Sequence, residues 1–158
     1  MKQESPVFPR IERLVPHRGA MLWLDRLTGG DVNAVEAEAR VPSAGWYLDE
    51  RGYMPAWIGI ELMAQAVAAH VGLRGWLAGK PPKPGVLLGC RVYRVGASRV
   101  AAGTLLRITA RVSYADESGF GAYDCAIRDA STELATATLK VYEPDDAEAF
   151  FRTVAEQR

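Results

Sequence analysis

A lone carboxylate in an apolar run is the first place in this chain where chemistry could sit. Glu61 lies within Met54-Pro55-Ala56-Trp57-Ile58-Gly59-Ile60-Glu61-Leu62-Met63-Ala64-Gln65. On a helix it falls one turn after Trp57 and Ile58 and one turn before Ala64 and Gln65. Such neighbours would desolvate the carboxyl, favour its protonated form and suit it to general-acid work. The alternative is a surface glutamate that only complements the helix dipole. Against that, the helix is apolar on all sides, so most of its faces must be covered. Gln65 either orients the Glu61 carboxyl, bonds to substrate, or is a satisfied buried amide. At the helix start, the N–H groups near Ala56 and Trp57 lack intrahelical acceptors and could polarise a carbonyl.

The elements that must hold these groups follow from periodicity. Pro55 suits a first helical turn, so the helix is expected from there to near Gly79, with Trp57, Ile60, Ala64, Val67, Ala68 and Val71 as its buried face. About 24 residues give a helix roughly 36 Å long, about the width of a six-stranded curved sheet. Before it, Arg10 to Val15 reads as a short helical turn, Met21 to Leu27 as a strand, Gly29-Gly30-Asp31 as a turn, and Val32 to Val41 as a half-buried strand. The Pro-rich stretch 80–85 cannot continue a helix. Beyond it the period switches to two. Strands are expected over 86–97 and 99–102, around Leu106 to Tyr114, around Tyr123 to Ile127, and over Leu134 to Tyr142, with a hairpin turn at Asp116-Glu117-Ser118-Gly119. An amphipathic helix from Asp145 to about Glu156, capped by Asp145 or Asp146, closes the chain. The result is an α+β domain over 1–158, its core at about 8–143, in which an antiparallel sheet wraps one long central helix.

Composition narrows the function classes. Acidic and basic residues balance at 19 each, which leaves no electrostatic footprint for nucleic acid or an anionic membrane. No run approaches the ~20 apolar residues of a membrane span, and Met1–Pro6 lacks a signal-peptide core, so a cytoplasmic protein is expected. Two Cys without metal-type spacing and two His argue against a disulfide framework or a zinc site. No metal or cofactor is expected.

Two motifs, in this order, resemble a known family. Pro16-His17-Arg18 with Met21 to Arg26, and Met54-Pro55 with Glu61, Ala64 and Gln65, are similar to signatures of the hot-dog-fold β-hydroxyacyl-acyl-carrier-protein dehydratases. Gly85 to Arg91 and Leu134 to Tyr142 resemble the same family's post-helix strands. Pro55-Ala56-Trp57 and Glu61-Leu62-Met63-Ala64-Gln65 match a divergent subgroup more closely, the dehydratases of aryl-polyene pigment clusters. The resemblance spans about residues 8–143. It implies a hot-dog fold and a substrate that is an acyl thioester on an acyl carrier protein. It also implies a homodimer, or a heterodimer with a related hot-dog subunit.

One departure bears on mechanism. The mainstream dehydratases carry a catalytic His in a His-Phe-Pro element before the helix; here Tyr47 stands at that place and Gly45 to Tyr53 holds no His. Elimination of water needs a base for the C2 proton, an acid for the departing hydroxyl and donors for the thioester carbonyl. Glu61 is the acid candidate and His17 the base candidate, the latter with a loop-anchoring role as its alternative. His70, nine residues after Glu61 and half a turn out of phase, is expected to be structural. Tyr47 donates a hydrogen bond or packs; Arg91 holds a carrier phosphate or a loop carbonyl, or faces solvent. A thioesterase on the same fold, with Glu61 activating water, and a silent subunit that completes an active partner are the competing readings.

Overall fold

The computed structural model describes residues 7–157; the leader-segment expectation for Met1–Pro6 lies outside them. Eight strands and two helices follow in the order β1 (Arg26–Gly30), β2 (Ala34–Arg40), β3 (Tyr53–Pro55), α1 (Ile58–Leu77), β4 (Val86–Val95), β5 (Arg99–Ala101), β6 (Leu105–Ala115), β7 (Phe120–Arg128), β8 (Glu133–Tyr142) and α2 (Ala147–Glu156). Six strands form one antiparallel sheet in the order β1-β2-β6-β7-β8-β4, and β3 pairs with β5 in a small second sheet. This is the hot-dog fold, with α1 lying along the curved sheet.

Alternation decides which face meets α1. Val35, Ala37 and Ala39 of β2, Leu106, Ile108 and Ala110 of β6, Tyr123, Cys125 and Ile127 of β7, and Ala135, Ala137 and Leu139 of β8 are buried, while Arg107, Thr109 and Arg111 point outward between them. Many of the inward residues are alanines, which lets the helix sit close. At Gly72 the approach is closest: a Cβ there would collide with the Leu14 carbonyl, so the chain entering from the short 3-10 turn Ile11–Arg13 lies directly against α1.

Three expectations need correction. Pro55 ends β3 rather than opening the helix: it pairs with Arg99, and the Ala56 N–H donates to the Ser98 carbonyl at 3.0 Å, so the backbone is extended through Pro55 and a turn at Ala56 and Trp57 leads into α1 at Ile58. At the other end, Gly79 takes a left-handed φ of 67° and Lys80 N–H closes back on Gly75 O at 2.7 Å, as a helix terminator does. The buried face is also different. Ile58, Leu62, Met63, Ala66, Ala69 and Leu73 are buried with Val67 and Val71, whereas Trp57 is exposed and Ile60, Ala64 and Ala68 are half-buried. A helix apolar on every side offers no contrast from which periodicity can pick a face. Finally, the strand expected from Met21 to Leu27 holds only at Arg26 and Leu27. Gly19–Met21 makes a second 3-10 turn and β1 starts only at Arg26, because the intervening residues are tethered to α1 through Gln65. The Gly29-Gly30 pair then lies in β1, and Asp31 makes the turn by accepting the N–H groups of Asn33 and Ala34.

His70 bolts the helix to the sheet. It is fully buried, with Nδ1 2.9 Å from the Tyr123 hydroxyl and Nε2 3.2 Å from the Asp31 carbonyl. Burial holds its pKa below the ordinary imidazole value, and burial pushes the Tyr123 phenol up to about 12. The unfolded chain takes up a proton at this residue near pH ~6.5 while the folded chain resists it, so the unfolded state binds more protons below that pH and stability falls as pH drops. Thermal midpoints between pH 7.5 and 5.5 should therefore fall more in the wild type than in His70→Gln. Equal slopes in the two proteins would contradict this.

Candidate active site

Glu61 stands in the first turn of α1 and meets the Pro16-His17-Arg18 loop. Its Oε1 lies 3.4 Å from His17 Nε2, and the two side chains are 35% and 26% exposed respectively. The carboxyl is thus only partly desolvated, because the α1 face that carries it is the half-exposed one. The separation from His17 exceeds a good hydrogen bond, so the two side chains stand in ion-pair range without sharing a tight one.

Gln65 fixes the carboxyl. Its Oε1 accepts the Trp23 backbone N–H at 2.9 Å and its Nε2 donates to the Met21 carbonyl at 2.7 Å, so backbone partners dictate which way the amide faces. Nε2 is then also the atom that donates to Glu61 Oε1, at 3.0 Å. Oε1 is held as an acceptor, and Oε2 is left as the oxygen that can carry or take a proton. Gln65 is itself fully buried, so it positions Glu61 and does not face substrate. The 3-10 turn Gly19–Met21, the Trp23 amide and the Gln65 side chain form one connected tether between loop and helix.

The loop that presents His17 is locked by a residue the sequence reading passed over. The Arg18 guanidinium donates to the carbonyls of Glu12 and Val15, each at 2.7 Å, and to that of His17 at 2.6 Å. Its planar array of donors suits several carbonyls at once. An arginine directly after Pro-His in a turn rich in unpaired carbonyls was the available signal. His17 Nδ1 is buried without a hydrogen-bond partner, which is rare for a buried polar atom.

The other expected site residues are distributed differently. The Ala56 N–H is taken by Ser98, so it cannot polarise a substrate carbonyl, and the Ala56 carbonyl accepts the Tyr93 hydroxyl. Among the described residues no acceptor meets the N–H groups of Trp57 and Ile58; these are the free donors at the helix start, with the Trp57 ring exposed beside them. Tyr47 packs its ring 4.6 Å from that of Trp23 and 5.6 Å from that of Trp46, and burial, with the charge of Asp25, raises its phenol pKa. It supports the loop that Gln65 tethers. Arg91 lies exposed on β4 opposite Thr138, on the face of the sheet turned away from α1, and so does not join Glu61. A hollow of about 900 Å³ lies on that same outer face, lined by Arg94, Arg111, Asp124 and Thr109 among others, and includes neither Glu61 nor His17. Among the described residues no group of three His, Cys, Asp or Glu side chains could hold a metal ion, and no helix is long and apolar enough to cross a membrane.

Comparisons with known proteins bear on the fold and the family. No curated protein sequence matches the chain. Among solved structures it is similar to the dehydratase heterocomplex ApeI:P from Xenorhabdus doucetiae, with a TM-score of 0.84 and 27% identity over 93% of this chain and 99% of that one. The PaaI protein of the phenylacetic acid degradation operon of E. coli matches with a TM-score of 0.59 and 18% identity, over 74% of this chain and 81% of that one. A variant of the fluoroacetyl-CoA-specific thioesterase FlK matches with a TM-score of 0.62 and 14% identity, over 82% and 98%. The last two share the fold alone. Residues 9–152 match the family model for ApeP dehydratase; with the hot-dog sheet, the central-helix glutamate and the Pro-His-Arg loop in place, the chain belongs to the ApeP-like dehydratases.

Proposed function

We propose that this dehydratase eliminates water from a 3-hydroxyacyl thioester presented by an acyl carrier protein, in the cytoplasm, during fatty-acid-like or aryl-polyene biosynthesis. The observation that carries the reading is the approach of His17 to Glu61 at 3.4 Å with Glu61 Oε1 fixed by Gln65. His17 Nε2 takes the C2 proton as base. The electrons of that C–H bond form the C2–C3 double bond, and the C3 hydroxyl leaves as water after receiving a proton from Glu61 Oε2. The N–H groups of Trp57 and Ile58, at the positive end of α1, hold the thioester oxygen while charge builds on it. No redox change or cofactor enters this balance.

The approach of His17 Nε2 to Glu61 Oε1 at 3.4 Å, within ion-pair range, supports a second reading of the roles. In the alternative state His17 is the cation and the Glu61 carboxylate is the base at Oε2, with His17 protonating the hydroxyl. Both readings use one pair sharing one proton.

A second hot-dog subunit fits the sheet. β4 is a long free edge that carries exposed Leu87 and Leu88, and such edges pair unless blunted. The ApeI:P heterocomplex supports a related hot-dog chain as the partner; a second copy of this chain is the alternative. Incubating the purified protein with 3-hydroxyacyl and 2-enoyl carrier thioesters should interconvert the two without releasing thiol. Release of free thiol would make it a thioesterase. No turnover until an active hot-dog dehydratase is added would make it a silent subunit.

A further inference from the structure

The peptide that joins Ala56 to Trp57 is held from one side by β4. Its oxygen, on Ala56, accepts the Gly59 N–H at 3.0 Å and also the hydroxyl of Tyr93, a residue 37 positions further along the chain. Across a trans peptide the oxygen and the N–H hydrogen point in opposite directions, and among the described residues no peptide bond is cis. Whatever fixes the Ala56 oxygen therefore aims the Trp57 N–H.

Alternation along β4 would send Tyr93 the other way. Arg91 faces outward opposite Thr138, so a regular strand would turn Val92 in and Tyr93 out. Between Arg91 and Arg94, however, β4 has two residues where β8 has only Ala137. This bulge reverses the two side chains: Val92 is 63% exposed, and Tyr93 is half-buried against the core. Val92 takes a left-handed φ of 51°, a costly conformation for a β-branched residue. Strain of this kind persists where the surrounding structure requires it. Gly59 supplies the space. A Cβ there would fall on the Tyr93 hydroxyl and lie 3.1 Å from Ile127 Cδ1. Burial, and after it the neighbouring Cys90, raise the Tyr93 pKa, so the hydroxyl keeps its proton and remains a donor.

We propose that Tyr93 is a positioning residue for the elimination: through the Ala56 carbonyl it aims and polarises the Trp57 N–H that holds the thioester oxygen. This rests on the reading of Trp57 and Ile58 as the donors to that oxygen. The Tyr93 hydroxyl itself does not touch substrate. As negative charge builds on the thioester oxygen, the Trp57 N–H is polarised toward it and the Ala56 oxygen becomes a stronger acceptor, so the bond from Tyr93 strengthens in step. The gain is larger in the transition state than in the bound substrate, which places it in kcat rather than KM.

Infrared spectroscopy and steady-state kinetics of the full chain test this with Tyr93→Phe, which keeps the ring and removes the hydroxyl. The probe is a saturated acyl carrier thioester, isotope-labelled at its carbonyl, which has no hydroxyl to lose and so binds without turnover. Bound to the wild type, its carbonyl stretch should lie below the frequency in free solution. In Tyr93→Phe that downshift should shrink, and kcat should fall about tenfold with KM within about twofold, a smaller loss than deleting a donor outright. Gly59→Ala, which crowds the hydroxyl off the Ala56 carbonyl, should do the same. If the wild type lowers the stretch and Tyr93→Phe lowers it equally, the hydroxyl serves packing alone; the proposal is then overturned and the reading of Trp57 and Ile58 stands. A wild type that leaves the stretch at its solution frequency removes those donors, and the role of Tyr93 with them.

Discussion

Replacing Glu61 by Gln lowers the rate of dehydration about a hundred- to ten-thousand-fold, the range that a lost general acid or base commands. The substitution is isosteric and leaves an oxygen to accept the Gln65 N–H that now meets Glu61 Oε1 at 3.0 Å. The fold and the thermal midpoint should therefore stay near wild type. What disappears is the proton at Oε2. Were Glu61 only complementing the dipole of α1, neutralising it would cost a few tenths of a kcal/mol of stability and leave turnover intact. Steady-state kinetics beside a thermal scan separate the two: unchanged kcat removes Glu61 from the mechanism, and loss of both rate and midpoint makes its role structural.

The second large effect is expected far from the carboxylate. In Gly72→Ala the new Cβ would sit 2.7 and 2.8 Å from Leu14 C and Cα, and closer still to the Leu14 carbonyl oxygen. Backbone on one side and the α1 rod on the other give no flexible atom that can yield, so overpacking of about 3 kcal/mol is expected. For a chain of this size that lowers the midpoint by about 6–12 °C. The segment pushed aside runs from Leu14 into His17, and the Arg18 clamp on the carbonyls of Glu12, Val15 and His17 moves with it. Activity should thus fall even at temperatures where the variant is folded, with a loss resembling that of His17→Ala. Wild-type stability together with wild-type activity in Gly72→Ala would contradict the close approach.

The strands after α1 were legible because each buries one face only, so Leu106, Ile108 and Ala110 alternate against arginine and threonine. The start of α2 was legible through Asp146, whose carboxylate caps it. The start of α1 was not. Pro55 is compatible with a first helical turn, but its conformation is fixed by β5, more than forty residues on, and that pairing is invisible locally. Ser98, just before that distant strand, takes the Ala56 N–H away from the site. Likewise Gln65 was recognisable as a neighbour of Glu61, while its hold on Trp23 and Met21, which sets the amide's orientation, depends on a loop folding back across the helix. His17 and Glu61 could be nominated from motif order; only the fold brings their atoms to 3.4 Å.

The central claim is that this pair performs the elimination with His17 as base. The most direct measurement follows C2 deuterium wash-in and enoyl formation together, from a 3-hydroxyacyl carrier thioester in D2O, for wild type, Glu61→Gln and His17→Ala. The account predicts that His17→Ala loses both, while Glu61→Gln still exchanges the C2 proton and fails to expel the hydroxyl. The reverse pattern would contradict it by making Glu61 the base, and full rates in both variants would remove the pair from the chemistry.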